Sequence, residues 1–154
     1  MLTEEVTKFI GQSGEVRILE VDKGAIRRYA EAVDDLNPVY WDEEYARNSR
    51  YGSMIAPPGF FGWPIRREGS APDEGGVTVA LAKAGYTRNL NGGEEFEFFQ
   101  PVRAGDTLAA LSRIADIRER EGRTGKMVFV TTETTYTNQH GALVAKARQT
   151  LIVR

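Results

Sequence analysis

Residues able to do chemistry gather around one proline: Asp35, Asn37 and Tyr40, in a run from Asp34 to Tyr40 that reads DDLNPVY. A carboxylate at Asp35 can orient a water or a substrate hydroxyl, although an aspartate ahead of Asn-Pro is equally a good turn former. Asn37 suits the turn better than it suits contact with a substrate. The Tyr40 phenol, whose ordinary pKa is roughly 10, is a poor base at neutral pH but can donate to a carbonyl or a water. Followed by Trp41, it is also suited to partly buried packing. Further on, Pro57 and Pro58 precede Gly59 and Phe60. Proline fits the first turn of a helix, so the Gly59 and Phe60 amides are expected free at a helix start, where they can bind a carbonyl oxygen or an anion. A glycine there also answers a need for close backbone approach.

The elements that must hold these residues can be read from spacing. Asp22 is a fitting N-cap for a helix in which Ile26, Tyr29, Ala30 and Val33 share a face while Arg27, Arg28 and Glu31 face water. Pro38 drives Asn37 out of helical angles, so the chain leaves this helix between Asp34 and Asn37. A second short helix starts after Asp42, with Glu43 and Glu44 suiting its dipole, and ends near Tyr51-Gly52. Ser53 to Pro57 then read as an extended crossing.

Composition narrows the function. At 154 residues the chain is read as one domain, 1–154, able to bury a core. Its 20 basic and 22 acidic residues are well mixed, which gives no electrostatic case for a nucleic-acid or anionic-membrane partner. The absence of cysteine excludes disulfides and thiolate chemistry, and one histidine, His140 in a turn, makes a metal site improbable. A hairpin-tip histidine reads as solvated surface. No glycine-rich phosphate cradle is present; NGG at Asn91–Gly93 reads as a turn. The acidic N-terminus resembles neither a signal peptide nor a membrane span, so a cytoplasmic protein is expected.

Around the organising stretch, a helix is expected over Thr3–Ile10 and a strand over Glu15–Val21, with Leu19 and Val21 on one side and Ile18 on the other. Arg67 to Gly76 read as a surface loop. Four β-prone segments follow, Glu94–Gln100, Thr107–Glu119, Lys126–Asn138 and Leu143–Val153, separated by turns. They form an antiparallel meander, which with one long helix to cover it gives an α+β domain. Phe60, Phe61, Trp63, Phe96, Phe98 and Phe99 can line a ligand tail, though most belong to the core. Arg66, Arg67, Lys83 and Arg88 read as scattered surface charge.

The run DDLNPVY, followed by APPGFFG from Ala56 to Gly62, resembles the MaoC-like hydratases and dehydratases. Their motif reads Gly-Asp-x-Asn-Pro-aliphatic-His. Here Asp34 stands at the glycine, Asp35 at the aspartate, and Tyr40 at the histidine. FEFFQPVRAGDTL also resembles the family's strand, turn and strand. The resemblance implies a hot-dog fold, an antiparallel sheet wrapped around a long helix. It implies action on acyl thioesters of coenzyme A or acyl carrier protein, with no other cofactor, through an Asp/His pair that moves a proton and a water across a carbon–carbon double bond. It would make Asp35 and Tyr40 the catalytic positions, with Asn37, Gly59 and Phe60 binding substrate.

Histidine suits proton transfer near neutrality and tyrosine does not. With Tyr40 in its place the chain is most similar to the N-terminal type of MaoC domain, the substrate-binding half of an assembly whose other half supplies the Asp/His pair. The expectation is therefore a binding subunit of an (R)-specific enoyl-CoA hydratase or 3-hydroxyacyl-thioester dehydratase, as a homodimer or as a heterodimer with a second MaoC-like chain. The alternatives are a self-sufficient homodimeric hydratase using Asp35 with Tyr40, or a non-catalytic acyl-thioester or small-ligand binding module.

Overall fold

The computed structural model describes residues 2–60, 74–123 and 125–154. The chain opens with one helical turn, α1 (Glu4–Thr7), shorter than the helix expected over Thr3–Ile10, which buries Val6. β1 (Arg17–Glu20) keeps the expected alternation, with Leu19 and Val21 buried and Ile18 facing solvent. Helix α2 (Lys23–Ala32) starts where the cap residue requires: Asp22 Oδ1 accepts the Ala25 amide at 2.9 Å. It buries Ile26 and Ala30, whereas Val33, its C-cap, is exposed. A 3-10 turn over Pro38–Tyr40 and a short α3 (Glu43–Asn48) follow. Asp42 Oδ1 caps α3 by accepting the Glu44 and Tyr45 amides.

The sequence reading leaves out α4 (Glu74–Lys83), whose first residues fall in the stretch read as a loop. EGGVTVALAK carries two glycines in its first turn and has no polar stripe, so it lacks the periodicity that marks a surface helix. Val77 and Leu81, one turn apart, are fully buried and form a core with Val6, Ile117, Val128 and Val153. The sheet is thus covered by α2 and α4, each of ten residues.

β2 (Asn89–Phe98), β3 (Thr107–Gly122), β4 (Gly125–Asn138) and β5 (Leu143–Val153) complete a sheet ordered β1-β3-β4-β5-β2, with every neighbour antiparallel. A register shift between Ile114 and Asp116 moves the buried set of β3 from Leu108, Ala110, Ser112 and Ile114 to Ile117. β2 runs through the NGG that was read as a turn. Gly92 and Gly93 make a bulge there, and a Cβ on Gly92 would lie 2.8 Å from the Thr150 carbonyl. After α4, Tyr86 donates to Glu119 Oε2 at 2.7 Å and Lys126 reaches Oε1 at 3.0 Å, fastening the helix to the β3–β4 hairpin. These bonds, the tyrosine's first, pull the Glu119 carboxyl down to about 2.

A second, separate core holds α2, the proline turn and the 54–60 crossing against β3, β4 and β5. Between the two cores Ser112 and Thr134 share a hydroxyl–hydroxyl bond of 2.7 Å. No described helix is long and apolar enough to cross a membrane.

Candidate functional site

Helix α2 ends in a Schellman turn: the Asp35 amide donates to the Ala30 carbonyl at 2.8 Å and the Asp34 amide to the Glu31 carbonyl at 3.1 Å. That geometry puts Asp34 at φ 54, the left-handed region that favours glycine. Aspartate tolerates this conformation through its short polar side chain. Asp35 Oδ1 then accepts the Asn37 amide at 3.0 Å, and Asn37 Oδ1 accepts the Val39 amide at 3.2 Å. The Trp41 indole closes the turn on the Asp35 carbonyl at 2.9 Å. Asp35 and Asn37 are therefore both spent, at least in part, on holding the proline turn.

That turn delivers Tyr40 into the core, 7 % exposed. Its ring packs there, yet its hydroxyl makes no hydrogen bond among the described residues and is not sealed from solvent. Burial, then the Asp35 carboxylate, then Tyr51 push the phenol above its usual range. Asp35 and Tyr40 thus come close enough to feel each other, and the result is a firmly protonated donor. Tyr40 lines a cavity of about 390 Å³ with Tyr51, Ile55, Pro58, Phe98, Phe99 and Val102 among its walls. An apolar pocket with a few convergent polar groups is the usual form of a small-molecule site.

The far wall is fixed by pairing across the sequence. The Ala56 amide donates to the Val102 carbonyl at 2.7 Å and the Ala104 amide to the Met54 carbonyl at 2.9 Å, around a bridge between Ile55 and Arg103. Arg103 also donates to the Tyr51 carbonyl and, at 3.2 Å, to Ser53 Oγ. Beyond this crossing the Phe60 amide donates to the Pro57 carbonyl at 3.1 Å, so it is not the free amide expected at a helix start. A four-residue turn consumes it, and the Phe60 ring is fully buried, edge-on to Tyr29 at 5.9 Å. The Gly59 amide meets no acceptor among the described residues. Gly59 has φ +84, and a Cβ there would stand 2.7 Å from the Tyr29 hydroxyl, so close approach alone requires glycine.

Phe98 and Phe99 line the cavity as the sequence allows, whereas Phe96 lies on another concavity; Phe61, Trp63, Arg66 and Arg67 lie outside the described residues. Arg50 and Tyr51, which the sequence presents as the end of a short helix, also line it. Their only local signal is an arginine beside an aromatic at a helix end. His140 is exposed at the β4–β5 hairpin tip, where Asn138 Oδ1 accepts its amide. Among the described residues no group of three or more His, Asp or Glu side chains gathers to hold a metal ion. A larger concavity, about 560 Å³, lies by Arg113, Glu133 and Arg148, whose charges already satisfy one another at 2.6 to 2.8 Å. Lys146 lines it, and the proline turn does not.

Comparison with known proteins identifies the family. A family model described as the FAS1-like, dehydratase domain region matches residues 8–147. A protein of Thermomonospora curvata named a probable enoyl-CoA hydratase alpha subunit is 35% identical over 136 residues, covering 82% of this chain and 43% of its own. The chain thus spans less than half of that relative. Among solved structures, the ChsH1-ChsH2 complex from Mycobacterium tuberculosis gives a TM-score of 0.81 at 19% identity, covering 97% of this chain and 88% of that one. The C-terminally truncated HadBC (3R-hydroxyacyl-ACP dehydratase) complex of the same organism gives 0.72 at 25% identity, covering 99% of both chains.

Proposed function

The chain belongs to the FAS1-like dehydratase family, MaoC-like proteins of the α+β hot-dog fold, and from that premise we propose that it is the substrate-binding subunit of an (R)-specific enoyl-thioester hydratase or 3-hydroxyacyl-thioester dehydratase. Its partner is a second MaoC-like chain that carries the catalytic Asp/His pair. One observation carries the proposal: Tyr40, which the motif resemblance aligns with the histidine, is a buried, firmly protonated phenol. A group that holds its proton through neutral pH cannot take one from water. It can donate. Tyr40, on the cavity wall, offers a hydrogen bond to a thioester carbonyl, and Asp35 keeps the turn that aims Tyr40.

The open sheet edge supports a partner of different sequence. β2 pairs only with β5, leaving its other side without a strand among the described residues, and it carries Glu95 and Glu97 on one face with Phe96 and Phe98 on the other. Two copies paired edge to edge about Phe96 would set Glu95 of one against Glu97 of the other, and like charges directly opposite destabilise a sheet. A second chain with neutral or basic residues on its edge removes that repulsion. The test is to mix the purified chain with a MaoC-like chain bearing an intact Gly-Asp-x-Asn-Pro-x-His. The proposal expects a one-to-one complex in sedimentation and hydration of a short enoyl-CoA by the mixture; a stable homodimer that ignores the second chain and turns over unaided would overturn it.

A further inference from the structure

The cavity beside Tyr40 has a charge pattern that its proposed use leaves unexplained. No carboxylate lines it, and its one lining cation is Arg50. Arg27, Arg113, Arg118 and Arg148 are each ion-paired, but Arg50 makes no ion pair among the described residues. Its guanidinium instead lies over the Tyr51 ring, 4.8 Å from the centroid, and donates to the Tyr51 hydroxyl at 2.5 Å. Stacking fixes the plane of the fork while leaving other donors unused. A second cation stands beside the cavity without lining it: Lys146, on the wall of the neighbouring 560 Å³ concavity, lies over the ring of Phe99, a lining residue, at 5.6 Å. Glu97 is its register neighbour on β2, yet the two make no ion pair. Tyr40, 7 % exposed, marks the inner end of the cavity and the exposed Arg50 its mouth.

We propose that Arg50, held on Tyr51 and aided by Lys146 on Phe99, is a clamp for the phosphate ester at the end of a pantetheine arm, the group that coenzyme A and phosphopantetheinylated carrier proteins share. The inference rests on the acyl-thioester reading above. A planar fork suits a phosphate because two of its donors can meet two phosphate oxygens. Apolar walls between mouth and floor suit the uncharged pantetheine, and Tyr40 waits at the end where the thioester arrives.

The experiment is a titration of the purified chain with pantetheine and with 4′-phosphopantetheine, repeated on Arg50→Gln and Lys146→Gln. The clamp requires tighter binding of the phosphorylated arm. That preference falls about tenfold in Arg50→Gln and by a smaller factor in Lys146→Gln, with pantetheine unaffected. Both side chains are exposed, so thermal melting of the variants should match the parent. A parent that binds both probes equally overturns the clamp and leaves the thioester reading standing, whereas a parent that binds neither overturns both. Loss of affinity for coenzyme A and for a holo acyl carrier protein together supports the shared phosphate. Loss confined to coenzyme A would assign Arg50 to the nucleotide phosphates and overturn the proposal.

Discussion

Replacing Gly59 by alanine tests whether this glycine serves the backbone or the ligand. Two costs can be separated. At φ +84 an L-residue is strained by about 1 to 2 kcal/mol. The new Cβ would also lie 2.7 Å from the Tyr29 hydroxyl, and the Tyr29 ring cannot simply swing aside because it packs edge-on against the fully buried Phe60. Overpacking of that kind adds about 1 to 3 kcal/mol. The Tyr29 hydroxyl is not itself well held, its reach to the Pro58 carbonyl being 3.5 Å. Tyr29→Phe should therefore cost little alone while removing the atom that clashes. In urea unfolding, Gly59→Ala should lose about 2 to 5 kcal/mol in the parent and only the backbone share, about 1 to 2 kcal/mol, in the Tyr29→Phe background. Equal losses in both backgrounds would refute the close-approach argument, and no loss in either would refute the positive φ as well.

Three further outcomes follow from the same geometry. Asp34→Gly relieves the left-handed residue at the end of α2 and should raise stability by up to about 1 kcal/mol in chemical denaturation, since aspartate bears this conformation better than most residues. Asp35→Asn removes one of the charges that raise the Tyr40 phenol, so the alkaline phenolate absorbance of Tyr40, taken as the difference from Tyr40→Phe, should appear at lower pH; burial, the larger cause, keeps it above the ordinary tyrosine value. The Glu119 carboxyl is depressed from 4.5 to about 2, so its stabilisation is present above 4.5 and is lost as pH falls from there towards 2. Glu119→Gln should flatten that part of a melting-temperature profile and its alkaline limb as well, because the same carboxylate holds the Tyr86 phenol and the Lys126 ammonium above their usual ranges.

What the sequence made legible is what is decided locally. Asp22 and Asp42 cap helices as their positions require, and Pro38 keeps Asn37 extended, at ψ 119, because its ring forbids the helical alternative. β1 and the β3–β4–β5 meander follow from period-two patterns, whereas β2, expected as the meander's first strand, lies at the far edge beside β5 because strand pairing between distant segments is not written in local pattern. α4 was not legible because its burial against α1 and the sheet, not its own polarity, makes it a helix. The bulge at Gly92–Gly93 was hidden for a related reason: a glycine pair marks a turn or a bulge alike, and the Thr150 carbonyl on β5 decides between them. The cavity was the least legible part. Its walls come from Arg50–Pro58 and from Phe98–Val102, segments far apart in the chain that the pairing around Ile55 and Arg103 brings together. Arg50 therefore looked like an ordinary helix-end arginine until the fold placed it at a mouth.

The most direct test of the account is the rate at which the purified chain, alone, hydrates a short enoyl-CoA near neutral pH. With Tyr40 protonated and no histidine beside Asp35, the account predicts binding of the thioester without turnover above the uncatalysed rate, and turnover only when a chain with an intact Asp/His pair is added. Turnover by the chain alone that disappears in Asp35→Asn would contradict it and make Asp35 and Tyr40 a working catalytic site.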